Sequence, residues 1–139
     1  MKITPYLTFN GNCAEAIALY EQAFGAQADI MRYSDAPPGE GYDPPPGTEE
    51  FIMHAQFSLG GDSVFLCDTT PDMPASFGGG VSIHVSMDSE ELVRAAFNIL
   101  KEGGAVGMEP AEVFWSKCFG NLTDKFGVAW MLSFEPCNE

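Results

Sequence analysis

A chain of 139 residues with 45% hydrophobic residues is the size of one globular domain and can bury roughly two-thirds of its unfolded surface. Twenty acidic and six basic residues give a formal net charge of −14. A charge of that sign argues against nucleic acid and anionic membranes as partners, because both bind through clustered Lys and Arg. It favours neutral or cationic ligands, although many acidic proteins are acidic for solubility alone.

The ends and cysteines of the chain indicate its compartment. No apolar run approaches the ~18 residues that a membrane span needs, and Met1–Thr4 begin a predicted strand rather than a signal peptide. We therefore expect a soluble, cytoplasmic protein. The four cysteines are far apart and form no Cys-x-x-Cys pair, so we expect free thiols rather than a zinc knuckle or a redox dithiol.

A repeat organises the chain. The segment Ile3–Phe9 recurs 78 residues later as Val81–Met87. Each copy alternates like a half-buried strand and is followed by a helical pattern and more strand-like sequence. The repeating unit is therefore one strand, one helix and three strands, and one copy alone would leave its apolar face exposed. We predict a single α+β domain over residues 1–139, with βαβββ modules at 1–68 and 81–139 and a linker at 69–80.

Capping signals place the two helices. Asn12 with Glu15, and Asp88 with Glu91, have the spacing of capping boxes, which predicts helix starts near residues 13 and 89. A glycine follows each predicted helix end, near residues 24 and 102. The remaining strands are predicted at residues 26–33, 51–59, 63–68, 113–123 and 128–134, with a hairpin formed by the last two strands of each module.

Residues 34–50 interrupt the first module. This segment holds five prolines, three glycines and five acidic residues, and it contains no Lys or Arg. Such a composition does not enter a sheet. Two interpretations stay open, a lid over a binding cavity and a solvated insertion.

Alternation puts polar residues on one face of two strands. Ile83, Val85 and Met87 suit packing under a helix, which leaves Ser82, His84 and Ser86 on the other face. In the same way, the apolar set that begins at Met53 opposes His54, Gln56 and Ser58. Both histidines therefore face away from the helices. Should they approach each other, one would act as a general base and the other would orient that base or serve as a ligand. The alternative is two solvated histidines.

Several motifs carry a family resemblance. Pro5-Tyr6-Leu7, Ile52–Ala55, Phe114–Lys117 and Thr123–Gly127, together with the paired modules, resemble the PhnB-like branch of the vicinal oxygen chelate superfamily. That superfamily includes glyoxalases, bleomycin-resistance proteins and dioxygenases. The resemblance implies two sheets curled around a shared cup that holds a small-molecule ligand, usually in a homodimer. The branch has often carried a methyltransferase label. The sequence shows no Gly-rich loop with an acidic partner, so we expect no nucleotide-type cofactor.

The resemblance also implies where a metal would bind. Superfamily chemistry uses a divalent cation held by His and Glu from the first and last strands of each module. Aligned through the helices, the four ligand positions of this chain hold Pro5, Phe65 or Leu66, Ser82 and Met131. None of these side chains holds a hard or borderline cation, so we expect no metal. The alternative is a shifted ligand set of His54, His84 and Asp68.

Further residues complete the predicted site. Trp115 and Lys117 share one predicted strand face, where an indole and an ammonium would hold a flat or carbonyl-bearing ligand; a core Trp beside an exposed Lys is equally consistent. Asp68 is interpreted as a capping residue. The predicted catalytic residues are His54 and His84, and the predicted ligand-binding residues are Gln56, Cys67, Ser82, Trp115, Lys117 and Met131.

Three functions are consistent with these sequence features. The first is a metal-independent protein that binds or transforms a small organic molecule in the cup. The second is sequestration of a drug, as in bleomycin-resistance-like proteins, and the net charge of −14 suits a cationic drug. The third is a metal-dependent lyase or dioxygenase with the shifted ligand set. The fold alone does not decide among them.

Overall fold

Each half of the chain folds one helix onto one four-stranded sheet. The computed structural model describes residues 1–36 and 45–135. It divides into unit 1, Met1–Ser76, and unit 2, Phe77–Glu139, and each unit is described by itself. The division lies inside the segment 69–80. Within the described residues, neither helix is long and apolar enough to cross a membrane.

Unit 1 is a βαβββ module with one parallel strand pair. Its elements are β1 (Tyr6–Phe9), α1 (Cys13–Phe24), β2 (Ala28–Arg32), a short 3₁₀ turn (Tyr33–Asp35), β3 (Ile52–Leu59) and β4 (Asp62–Asp68). The strand order is β1-β4-β3-β2. β1 pairs with β4 in parallel, and the other two pairings are antiparallel.

Unit 2 repeats this connectivity. Its elements are β5 (Ile83–Ser86), α2 (Glu90–Leu100), β6 (Ala105–Val113), β7 (Ser116–Thr123) and β8 (Ala129–Phe134). The order β5-β8-β7-β6 matches that of unit 1 position by position, and β5 again runs parallel to its partner β8. The predicted α+β fold of two βαβββ modules is therefore confirmed.

Helical spacing of apolar residues fixes which face each helix buries. The buried residues of α1 include Ala16, Ile17, Tyr20 and Ala23, and those of α2 are Val93, Ala96, Phe97 and Leu100. Both sets fall on one helical stripe. Each large apolar side chain that is fully buried contributes about 1.5–3 kcal/mol. The α2 stripe packs closely because β7 carries Gly120 below it, where a Cβ atom would lie 3.1 Å from the Phe97 ring.

Both predicted capping boxes are wrong in detail. Asn12 is the N-cap of α1 but makes no side-chain cap; instead Oδ1 of Asp68 accepts hydrogen bonds from the backbone N–H groups of Gly11 and Cys13, at 2.8 and 2.9 Å. In unit 2 the N-cap is Ser89 rather than Asp88. The Ser89 hydroxyl accepts from the backbone N–H of Leu92 at 3.1 Å, because Ser89 has the extended backbone that a cap requires.

Gly25, with φ 66°, ends α1 where it was expected. Two other boundaries differ from the prediction. The second helix ends earlier, at Leu100. The strand predicted from Val113 begins at Ser116 instead, since Phe114 and Trp115 form the turn after β6. The lid interpretation of residues 34–50 rests largely on residues 37–44, which lie outside the described residues.

A buried carboxylate joins three segments of unit 1. Asp68, at the end of β4, is 3% exposed. Besides the two bonds at the start of α1, its Oδ2 accepts from the backbone N–H of Ile52, at the start of β3, at 3.0 Å. Buried backbone donors need partners, so this one side chain satisfies three of them. The capping interpretation of Asp68 is confirmed.

We expect Asp68→Ala to destabilise the protein by about 3–5 kcal/mol, because it would leave three backbone donors without their acceptor. Urea unfolding followed by circular dichroism measures this free energy. Asp72→Ala is the matched control, since Asp72 is exposed and bonds only locally to Thr70. A loss of less than about 1 kcal/mol in Asp68→Ala would contradict the assigned role.

Candidate functional site

The sheet face of unit 1 that lies away from α1 carries polar and aromatic side chains. Phe57 marks the opposite, packed face, since its ring lies 6.4 Å from that of Phe24 in α1. Because strand side chains alternate, His54 and Gln56 point the other way. We call this surface open face 1, and it comprises Tyr6, Thr8, His54, Gln56, Phe65 and Cys67.

Three rings meet at the centre of open face 1. β4 separates β1 from β3, yet the Tyr6 hydroxyl reaches across it to Nδ1 of His54 at 3.1 Å. Phe65, on β4, packs edge-on against both rings, with centroid distances of 5.8 Å to Tyr6 and 5.0 Å to His54. Tyr6 is 53% exposed. The cluster therefore combines a phenol, an imidazole and an apolar ring within reach of a ligand.

Hydrogen-bonding side chains surround the three rings. Thr8 Oγ1 lies 3.7 Å from the sulfur of Cys67, and the amide of Gln56 donates to the Ser63 hydroxyl at 3.2 Å. Partial burial, followed by the neighbouring Cys67, raises the pKa of Tyr6 above its usual value. The phenol therefore keeps its proton at neutral pH, and its hydroxyl is able both to donate and to accept a hydrogen bond.

The corresponding surface of unit 2 holds the second histidine. Nε2 of His84 lies 2.7 Å from the hydroxyl of Ser133, which is 0% exposed. Ser133 pairs with Phe119 on β7. Gly120, the next residue, faces α2, so Ser133 and Phe119 lie on the face away from the helix. We call this surface open face 2, and it comprises His84, Ser86, Phe119, Met131 and Ser133.

An aromatic turn lies beside open face 2. The ring of Trp115 packs 5.4 Å from Phe119 and 4.7 Å from Phe114. Trp115 is 51% exposed, and the amine of Lys117 lies 4.0 Å from Glu112, an exposed ion pair that contributes little to stability. A cavity of about 160 Å³ is lined by Glu112, Val113, Phe114, Trp115, Ser116, Lys117 and Glu135. This volume admits a small group rather than a whole drug.

Strand register revises the positions where superfamily metal ligands would lie. Tyr6, not Pro5, pairs with Phe65, and His84, not Ser82, pairs with Met131. Of these four side chains, only His84 is an ordinary metal ligand. These residues do not fit the metal. Among the described residues, no group of three or more His, Cys, Asp or Glu side chains would hold one.

The structure brings some of the predicted site residues together. His54, Gln56 and Cys67 share open face 1, and His84 and Met131 share open face 2. Ser82 precedes β5 and is exposed, and Trp115 lies in a turn, so neither is on the predicted strand. His54 and His84 belong to different units, and their approach stays a prediction. Asp68 is committed to backbone donors rather than to either histidine.

The sequence analysis did not predict the hydrogen-bonding partners of the two histidines. Tyr6 and Ser133 each bond one of the predicted histidines, yet neither was included in the predicted site. A signal for Tyr6 exists, since the 78-residue repeat places it at the position of His84. Ser133 follows Met131 by two residues and therefore shares its face. That alternation would have indicated it.

The fold and these two faces define the class of protein. Paired βαβββ modules form the glyoxalase and bleomycin-resistance-like α+β fold. A glyoxalase-related enzyme from Fulvimarina pelagi shares this fold with a TM-score of 0.60 at 16% identity, covering 98% of this chain and 90% of that one. The match at that identity concerns the fold alone.

The comparisons also identify the family. A family model described as 3-demethylubiquinone-9 3-methyltransferase matches residues 1–133. The chain therefore belongs to that family, the PhnB-like branch of the glyoxalase superfamily, and the predicted resemblance is confirmed.

Related proteins match this chain along nearly its whole length. Protein YjdN of Escherichia coli is 34% identical over 96% of this chain and 95% of its own. The crystal structure of protein PA1353 from Pseudomonas aeruginosa is 38% identical, covers 97% and 98% of the two chains and has a TM-score of 0.84. A PhnB protein from Bacillus cereus is 33% identical, covers 96% and 99%, and has a TM-score of 0.76.

Thiol reactivity tests the assigned environments of the three described cysteines. Cys13 and Cys118 are fully buried, and burial raises the pKa of both thiols. Cys67 is partly exposed on open face 1. Because the thiolate is the nucleophile, we expect iodoacetamide at pH 8 to alkylate Cys67 at least about ten-fold faster than Cys13 or Cys118.

Peptide mass spectrometry measures the three rates separately, and Cys67→Ser identifies the peptide that should lose its label. Faster labelling of Cys13 or Cys118 in the folded protein would contradict their burial. Loss of the difference in urea would show that the fold causes it.

Proposed function

We propose that this protein binds a small, neutral organic molecule on its open faces without the metal of its superfamily. The observation that carries the proposal is the cluster of Tyr6, His54 and Phe65, which offers directed hydrogen bonds beside an apolar ring. Sites for small organic molecules combine these two features. Whether the bound molecule is also transformed depends on proton transfer by His54 and His84, the two groups suited to it.

The surrounding residues support the proposal. Gln56, Cys67 and Met131 add an amide, a thiol and a thioether to the two faces, and Trp115 with Lys117 adds a ring and a cation at the small cavity. Ser82, exposed before β5, would contribute only from the periphery. That the two faces line one shared cup stays a prediction.

The family description names a methyltransferase, yet the start of α1 gives no support for a nucleotide-type cofactor there. Such cofactors lie on a Gly-rich turn with free backbone N–H groups. Here the N–H groups of Gly11 and Cys13 bond Asp68. The space beside Gly11 is filled by the Phe51 ring, which a Cβ atom would approach to 2.8 Å. We therefore do not propose methyl transfer.

Sequestration of a cationic drug is the second candidate. The observation that favours it is the pair of carboxylates, Glu112 and Glu135, beside the Trp115 ring. An indole face and carboxylates both attract organic cations. Lys117 lies in the same cavity and opposes a cation, so we rank this candidate second.

A ligand screen at low and high salt separates these two candidates. We expect the best ligands to be neutral molecules whose affinity changes little with salt, because salt screens exposed charges beyond roughly 8 Å at physiological strength. His54→Ala should weaken them by about ten-fold, the equivalent of one good hydrogen bond. His84→Ala and Trp115→Ala test the second face, and Gln22→Ala, on the exposed side of α1, is the control.

Polycations as the best ligands would overturn the first candidate if high salt abolished their binding and all three site substitutions left it unchanged.

Sedimentation of the same samples tests the expected homodimer. The exposed Phe114, at 97%, and its neighbour Trp115 form an apolar surface that a second copy would cover.

Metal addition tests the remaining candidate, a metal-dependent lyase or dioxygenase with the shifted ligand set. A cation that binds only the folded state raises the melting temperature by mass action. We expect zinc, nickel, manganese and ferrous iron to change it by less than about 2 °C, an effect below 1 kcal/mol for a chain of this size. A rise of several degrees that His84→Ala abolishes and Gln22→Ala retains would establish a metal site.

A further inference from the structure

The hydrogen bond between Tyr6 and His54 has two possible directions, and the direction determines what the site binds. A neutral imidazole has one N–H donor and one bare nitrogen acceptor. Its Nδ1 lies 3.1 Å from the Tyr6 hydroxyl. When the phenol donates, the imidazole proton lies on Nε2; when the phenol accepts, the proton lies on Nδ1 and Nε2 is bare.

The neighbours of Tyr6 favour donation by the phenol. The phenol has one proton, and the acceptors near it are Nδ1 of His54 and the sulfur of Cys67. Thiol sulfur is a weak acceptor, whereas an imidazole nitrogen is a strong one. Donation by Nδ1 would leave the phenol proton only the sulfur or solvent, since Tyr6 is 53% exposed. The phenol also retains its proton, since burial and the nearby Cys67 raise the pKa of Tyr6.

We propose that Tyr6 is a positioning residue that holds His54 with its proton on Nε2, and that open face 1 therefore binds a carbonyl oxygen of a planar molecule. This inference rests on the proposed function, because it names the ligand class of the same site. Nε2 has no hydrogen-bonding partner among the residues that the structure describes. An N–H group beside ring edges donates a hydrogen bond to an oxygen lone pair and repels a cation.

The geometry around His54 also selects a flat ligand. Phe65 packs edge-on against the imidazole, and Met31, on the neighbouring strand, lies directly opposite His54 and is exposed. Rings and a thioether provide apolar contact for a planar group. Thr8 and Gln56 provide further hydrogen bonds on the same face. A conjugated ketone, lactone or quinone has the required combination of a flat ring and a carbonyl.

Imidazole ¹⁵N NMR tests the positioning role without any ligand. At pH 8, where ordinary histidines are neutral, we expect two-bond correlations to show His54 with its proton on Nε2. Tyr6→Phe should remove the hydrogen-bond shift at Nδ1 and introduce a second tautomer. His84 is the internal control, and Gln22→Ala, on the exposed side of α1, should change neither histidine. A proton on Nδ1 in the wild type, or unchanged His54 signals in Tyr6→Phe, would overturn the positioning role.

Two probes of similar shape test the ligand class. Coumarin carries a ring carbonyl, and naphthalene has no acceptor. We expect coumarin to bind more tightly and to shift the Nε2 signal of His54. His54→Ala should weaken coumarin by about ten-fold, and Tyr6→Phe by about three-fold, with naphthalene almost unaffected. Equal binding of both probes, insensitive to His54, would overturn the carbonyl ligand class. The tautomer of His54 is measured without a ligand. A failure of the positioning role is therefore distinguishable from a failure of small-molecule binding.

Discussion

Each unit depends on one buried aspartate whose carboxylate accepts several hydrogen bonds, from separate segments in unit 1 and from within one hairpin in unit 2. Asp68 bonds the β1–α1 turn and the start of β3. Asp124 bonds the backbone N–H groups of Phe126 and Val128 and the indole N–H of Trp130 at 2.9 Å. Both carboxylates are 3% exposed. A buried charge is tolerated only when its oxygens are fully paired, so these two side chains restrict the conformations of the turns around them.

The hydrogen bonds of Asp68 also fix which β4 side chains face the candidate site. Asp68 is the last residue of β4, and it points into the packed side of unit 1. Side chains alternate along β4, so the same constraint turns Cys67 and Phe65 toward open face 1. The bond from Asp68 to the turn after β1 also holds the end of the strand that carries Tyr6. The core residues and the candidate site residues of unit 1 thus lie on opposite faces of the same strands. Substitutions on open face 1 therefore leave the core packing intact.

The repeat and the period-two alternation were enough to predict the modules and the faces on which His54 and His84 lie. Local signals failed where a distant residue competes. Asn12 has the sequence of a cap, but Asp68, 55 residues from Cys13, takes the donor instead. The strand start at Val113 failed for another reason: Phe114 and Trp115 are not typical turn residues. The preceding β6 is an irregular edge strand that contains Gly107 and Pro110.

The equivalence of Tyr6 and His84 in the repeat shows how the two faces have diverged. Each residue lies in a parallel strand pairing on an open face, with Phe65 and Met131 as the respective partners. In the superfamily such positions would hold a cation that polarises a ligand oxygen. Here unit 1 presents a phenol and an imidazole, and under the proposed carbonyl binding they would stabilise charge on the ligand oxygen through hydrogen bonds. Neutral donors contribute less than a divalent cation, and they also cost less to desolvate. The proposed carbonyl site would therefore suit ligands that need recognition and modest polarisation of that group.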